Sequence, residues 1–139
     1  DVREDIGPLS GIYTALLWAR ERGDYGILAV ACDMPFPSAG LLRAITAAAA
    51  QHDAVLPESD GRRGLEPLFG FYSVNCIAAI DRAIERGDRR MISFHDDIDL
   101  YRFPIEQVRI FGDPAILFMN VNTPEDLEAA RRIAVEQAS

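Results

Sequence analysis

The apolar run Gly26-Ile27-Leu28-Ala29-Val30-Ala31 stops at Cys32-Asp33 and then at Met34-Pro35-Phe36-Pro37. This stretch constrains the fold more than any other. A short apolar run closed by an acid and a proline-rich turn reads as a strand buried on both faces. Pro35 and Pro37 each lack an N–H and fix φ, so regular structure does not continue through them. Pro35 also drives Met34 out of the helical region. In open α/β sheets, ligands collect just beyond the carboxyl ends of such strands. Asp33 therefore stands where a ligand or a metal would be met. The alternative is that Asp33 only closes a turn, as Asp often does.

The flanking sequence keeps the helix–strand rhythm of α/β folds. Gly7-Pro8-Leu9-Ser10-Gly11 opens a helical pattern in which Ile12, Ala15, Leu16 and Ala19 share a face and Gly23 gives the stop. A glycine-bearing loop at a helix start can bring backbone N–H groups to an anion, although simply starting a helix is its commoner use. Ser38 predicts an N-cap for a helix through about Gln51, with Leu41, Leu42, Ile45, Ala48 and Ala49 facing inward. Asp53 to Pro57 reads as a short strand. Ser59 to Gly64 is a turn carrying Arg62 and Arg63, either solvated or placed to grip a phosphate or carboxylate.

Leu65 to Tyr72 reads as a strand apolar on both faces, with Pro67 favouring an edge position or a bulge. Ile77, Ile80 and Ile84 line a helix ended by Gly87, and Arg89 to Phe94 suggests a second short helix. Asp96, Asp97 and Asp99 form a solvated corner that could also attract a cation. Leu100 to Phe103 suggests a strand, and Pro104 a helical turn through Val108. Thr123, Pro124 and Asp126 make a variant capping box, followed by a stripe of Leu127, Ala130, Ile133 and Ala134 expected to be buried. Capping explains Thr123, Pro124 and Asp126. It does not explain Asn120 and Asn122, whose alternating amides would project to one side and could bind a polar ligand.

With 139 residues the chain forms a single domain, residues 1–139, large enough for a real core. Its net charge of −8 disfavours nucleic acid as a partner. No apolar run is long enough to span a bilayer as a helix. Cys32 and Cys76 lie far apart without metal-ligand spacing, which fits a reducing cytoplasm. There is no Ser/His/Asp or Cys/His set, and His52 and His95 are expected at the surface. All 14 basic residues are arginine, so a mechanism that needs lysine must find it elsewhere. The chain begins with Asp1 rather than Met, which suggests that its start is not a natural translation start.

Five motifs occur in order: G-P-L-S-G at 7–11, C-D-M-P-F at 32–36, E-P-L-F-G-F-Y at 66–72, G-D-R-R-M at 87–91 and N-V-N-T-P-E-D-L at 120–127. Together they resemble the molybdenum cofactor guanylyltransferases, the MobA family, within the nucleotide-diphospho-sugar-transferase-like fold. The resemblance implies a three-layer, Rossmann-like mixed and mostly parallel sheet with helices on both faces. It also implies that the terminal phosphate of molybdopterin attacks the α-phosphorus of GTP and that pyrophosphate leaves with the help of Mg²⁺. Asp33 would hold the Mg²⁺, and Gly7 and Gly11 would let their loop approach the nucleotide. Asp1 resembles an acid that contacts the guanosine, and Asn120 and Asn122 resemble a pair on the acceptor side. The implied setting is cytoplasmic, with proteins of molybdenum cofactor delivery as further partners.

Members of that family begin with a strand, a loop of the form L-A-G-G-x-x-x-R-M-G and a lysine, and this sequence contains none of these. The chain then corresponds to the C-terminal two-thirds of the family's domain and is expected to be inactive alone. Loss of a central strand would leave unpaired sheet edges facing each other. Two alternatives stand beside this reading. One is a related nucleotidyltransferase using CTP or another phosphorylated acceptor. The other is a non-catalytic nucleotide-binding or regulatory module.

Overall fold

A computed structural model describes residues 7–60 and 64–138. Asp1, Arg62 and Arg63, singled out above, lie outside the described residues. The elements in chain order are α1 (Pro8–Glu21), β1 (Gly26–Val30), α2 (Ala39–Ala48), β2 (Ala54–Pro57), β3 (Phe69–Ser73), α3 (Cys76–Glu85), β4 (Leu100–Phe103), α4 (Ile105–Val108), α5 (Pro114–Leu117) and α6 (Pro124–Ala138). Single 3₁₀ turns follow α2 at Ala49–Gln51 and precede β4 at His95–Asp97.

The sheet order is β1-β3-β2-β4. β3 pairs antiparallel with both β1 and β2, and β2 pairs parallel with β4. Three strands therefore run one way and β3 runs against them. The sheet is mixed, but the predominance of parallel pairing expected from sequence is not found, because the one reversed strand sits between β1 and β2 and makes both of its ladders antiparallel. The four strands also pair continuously, so the expected pair of facing open edges is absent among the described residues. β1 and β4 are the two edge strands, and β1 is not buried on both faces as its apolar run predicts, since Leu28 and Val30 are 47% and 41% exposed. A strand with interior composition at an edge leaves backbone donors and acceptors, with apolar side chains beside them, open to pairing.

Helices cover both faces. Leu9, Ile12 and Leu16 of α1 and Ile77 and Ile80 of α3 pack on one face against Leu56 and Tyr72. Leu41 and Ile45 of α2, with Val108 and Leu117, pack on the other against Val55, Phe69 and Phe71. All five residues of β3 are buried, as its two-faced apolar pattern demands. Its position corrects the sequence reading, because β3 is interior and begins at Phe69, while Leu65 makes only an isolated antiparallel bridge to Glu58 and Pro67 and Leu68 form a turn. Pro67 cannot donate to a ladder, so the strand starts after it. The buried Tyr72 hydroxyl donates to the Pro67 carbonyl and ties the turn to the strand. Gly70 is needed here, since a Cβ would lie 2.6 Å from the Val55 carbonyl oxygen.

Local signals at the helix ends are realised. The Leu41 N–H donates to Ser38 Oγ at 3.1 Å. The Asp126 N–H donates to Thr123 Oγ1 at 3.0 Å, and the Asn122 N–H donates to Asp126 Oδ2 at 3.1 Å, closing the capping box. Three expectations fail. Residues 89–94 form turns, not a helix. There Asp88 accepts from Arg90 at 2.8 and 2.9 Å, and its carboxyl is held down at about 2 by that guanidinium. The α6 stripe is largely uncovered: only Ala130 is buried and Leu127 is 42% exposed. Helical period fixes which face is apolar, not what covers it.

His95 is the third correction. Its ring packs edge-on against Phe94 with centroids 5.0 Å apart, and its buried Nε2 has no hydrogen-bond partner. Burial disfavours the charged ring and lowers its pKa to about 4. A base whose folded pKa lies below its unfolded value of about 6.5 takes up more protons when unfolded. Its contribution to stability is present above pH 6.5 and is lost as pH falls through the window down to about 4. His95→Leu is expected to flatten the pH dependence of the urea midpoint between pH 6.5 and 4. An unchanged slope would mean that His95 does not titrate in that window. His52 also departs from a bare surface role, since it stacks on Tyr101 and meets the Asp99 carboxylate at 3.2 Å.

Candidate functional site

The carboxyl ends of β1, β2 and β4 lie at one edge of the sheet, because these three strands share a direction. After β1 the chain turns at once. The Met34 N–H donates to the Ala31 carbonyl at 3.3 Å, and the Met34 side chain is buried in the α2-side core. That anchor holds Cys32 and Asp33 at the tip, with Cys32 exposed and Asp33 half-buried. A second anchor comes from the far end of the chain, where the Val121 N–H donates to the Asp33 carbonyl at 2.8 Å. Val121 sits between Asn120 and Asn122, both exposed. The acid after β1 and the paired asparagines are therefore neighbours, although 87 residues separate Asp33 from Asn120 (120 − 33).

The helix-start loop reaches the same place from the other side. Gly7 adopts φ +62° at the N-cap of α1, a conformation that favours glycine. Gly11 lies inside the first turns of α1, exposed, and a Cβ there would meet nothing within 4 Å. Gly11 is thus not demanded by internal packing. With Pro8 and Ala15 it forms one wall of a groove of about 590 Å³, whose other wall is the free edge of β1 through Ala31 to Asp33. Gly7 caps the helix beyond that lining. The structure thus brings Gly11, Asp33 and the Asn120–Asn122 loop to one edge.

Among the described residues no group of three or more His, Cys, Asp or Glu could hold an ion. A caged metal is therefore not supported by those residues. The Asp33 carboxylate makes no hydrogen bond or ion pair among the described residues. One unengaged hard oxygen donor at an open groove fits Mg²⁺, which takes one or two carboxylates and fills its shell with phosphate oxygens and water.

A second cavity, about 270 Å³, opens at the same sheet edge and was not legible from sequence. Ser59, Asp60 and Glu66 line one side of it and Pro114, Ala115 and Phe118 the other. Burial pushes the Glu66 carboxyl up, against the opposing effect of a hydrogen bond from Ser59. In sequence Leu65 to Tyr72 reads as one strand, which hides the turn that brings Glu66 to the cavity. The only available signal was Pro67 directly after an acid. α5 was not expected either, although Asp113 caps it by accepting from the Ala115 N–H at 3.0 Å.

A three-layer α/β domain that gathers an acid, a glycine of its first helix and two asparagines at the carboxyl ends of its strands has the organisation of open α/β sheets that meet ligands there. The chain belongs to the family of the MobA-like NTP transferase domain, whose model matches residues 1–98. It is 37% identical over 128 residues to a protein of Pelotomaculum thermopropionicum named "Probable molybdenum cofactor guanylyltransferase", covering 92% of this chain and 60% of that protein. It is 30% identical over 131 residues to the molybdenum cofactor guanylyltransferase of Desulfosudis oleivorans, covering 94% of this chain and 62% of the relative. The crystal structure of molybdopterin-guanine dinucleotide biosynthesis protein A from Archaeoglobus fulgidus superposes with a TM-score of 0.76 at 30% identity. That match covers 94% of this chain and 64% of the crystallised one. The chain thus spans about 60% of the length of the curated relatives named here.

Proposed function

We propose that this chain is part of a guanylyltransferase that moves the guanylyl group of GTP onto the terminal phosphate of molybdopterin. An oxygen of the acceptor phosphate attacks the α-phosphorus, the bond from that phosphorus to the leaving pyrophosphate breaks, and a phosphodiester forms. The observation that carries the reading is the Val121 N–H to Asp33 carbonyl bond of 2.8 Å, which sets the strand-end acid beside the two asparagines in a chain of this family. Guanylyl rather than cytidylyl transfer is favoured by the names of the relatives.

In this reading Asp33 holds Mg²⁺, which when bound neutralises charge that develops on the transferred and leaving phosphates. Gly11, with no side chain, leaves the groove wall open to a phosphate chain. Asn120 and Asn122 offer amide donors and acceptors to the second substrate. The −8 charge of the chain makes Mg²⁺ a better phosphate partner here than unassisted side chains. Pyrophosphate release from GTP in the presence of molybdopterin and Mg²⁺ is the direct test, with CTP as competitor. Little or no release is expected from the 139-residue chain alone, and release is expected when it is joined to the family's glycine-rich loop and lysine. No release from the joined protein would sink the proposal, and preference for CTP would move it to the cytidylyl branch.

A further inference from the structure

The 270 Å³ cavity beside β2 and α5 is not used by the scheme above. Its volume is somewhat below the range of about 300–1,000 Å³ common for small-molecule pockets, which suits one ring system rather than a whole nucleotide. Its two sides differ in chemistry. Pro114, Ala115 and Phe118 present carbon, and Phe118 is fixed by edge-on packing against the buried Phe69 at 5.4 Å. Ser59, Asp60 and Glu66 present a hydroxyl and two carboxylates. Asp60 is partly committed, because Arg109 Nη2 lies 3.1 Å from its Oδ1, whereas Glu66 has no arginine partner among the described residues.

Among the described residues a phosphate would meet the Glu66 carboxylate with no arginine upon it, which disfavours the charged end of an acceptor here. A flat heterocycle with an amino group beside a ring N–H does belong. It lays its face on carbon and gives its two donors to one carboxylate, the bidentate geometry that carboxylates accept from guanidinium. The cavity is also connected to the Asp33 side. The Ala31 N–H donates to the Leu68 carbonyl at 3.0 Å, and Leu68 lines the β1-edge groove two residues after Glu66 lines the cavity. Phe118, on the opposite side of the cavity, precedes Asn120 by two residues.

Resting on the nucleotidyl-transfer reading, we infer that this cavity takes the amino-heterocyclic end of the acceptor, with Glu66 as the specificity-determining carboxylate, so that the phosphate end points to Asp33. The probe is a free pterin, neopterin, titrated into the 139-residue protein and followed by pterin fluorescence. Saturable binding is expected. Glu66→Gln keeps the shape and removes the charge, and is expected to weaken binding at least about tenfold. Ala115→Phe fills the cavity without touching a carboxylate and is expected to abolish binding. Urea midpoints of both variants report folding.

Failure of neopterin to bind overturns the inference. So does binding unaffected by both variants at unchanged midpoints. Should Glu66→Gln fail to fold, Ala115→Phe decides alone, with retained binding counting against the cavity. Pterin binding sensitive to either variant, in a protein whose joined form releases no pyrophosphate, upholds the cavity and rejects the transfer reading. Pyrophosphate release with variant-insensitive pterin binding does the reverse.

Discussion

Asp33→Asn in the protein joined to the family's glycine-rich loop is expected to lower nucleotidyl transfer by roughly 10²–10³-fold, the effect typical of removing one electrostatic stabiliser from a polar transition state. The thermal midpoint is expected to stay where it was. The side chain has no hydrogen bond or ion pair among the described residues, so folding does not depend on its charge. What the fold uses at this position is the main-chain carbonyl that accepts from Val121, and Asn preserves it. The joint readout is pyrophosphate release at saturating GTP against a melting curve. A variant that keeps transfer within about threefold of the parent removes Asp33 from the metal role, since that corresponds to well under 1 kcal/mol of transition-state stabilisation. A lower melting point with intact transfer would leave Asp33 as a turn-closing residue only.

Phe69→Ala is expected to cost about 3–5 kcal/mol, the usual range for deleting a buried aromatic side chain. Phe69 is fully buried at the start of the central strand and packs edge-on against Phe118. Against a total stability of about 5–15 kcal/mol for a domain of this kind, such a loss removes from about a fifth to all of the folding free energy, so that up to about half of the molecules unfold at the low end. Urea titration followed by circular dichroism gives the midpoint shift, and Phe69→Leu, which refills most of the volume, is expected to recover the larger part. The damage should also be directional. Phe118 leads through Met119 to Asn120, so losing its partner frees the 118–122 segment and weakens the Val121–Asp33 contact. Faster exchange of the Val121 amide than of amides in α3 would reveal this. A midpoint shift worth less than about 1 kcal/mol would mean that the site rests on other packing.

The acid at position 33 is marked by a pattern visible in sequence, an apolar run broken by an acid and two prolines. The Phe69 effect is not. L-E-P-L-F-G-F-Y shows that some residue there is buried, but Phe118 as its partner lies 49 residues away (118 − 69) in a segment with no clear period. Likewise, Ser38, Thr123, Pro124 and Asp126 declared their caps because a cap is a contact within four residues. Leu127 did not declare its exposure, since periodicity names a face and only another element can bury it. The polar residues around His95 in sequence likewise do not show that its Nε2 is buried in the folded chain.

Sequence alone therefore determined most of the longer helices, the caps at Ser38 and Thr123 and the acid at the end of β1, because backbone sterics, capping and hydrophobic period act over a few residues. Only the tertiary structure decided that β3 runs against its neighbours at the centre of the sheet. It alone brought the asparagines of residues 120–122 to Asp33, and it alone turned Glu66 inward to face Phe118. Each of these follows from long-range pairing and packing, whose free energy depends on which segments meet, and a linear pattern does not record that.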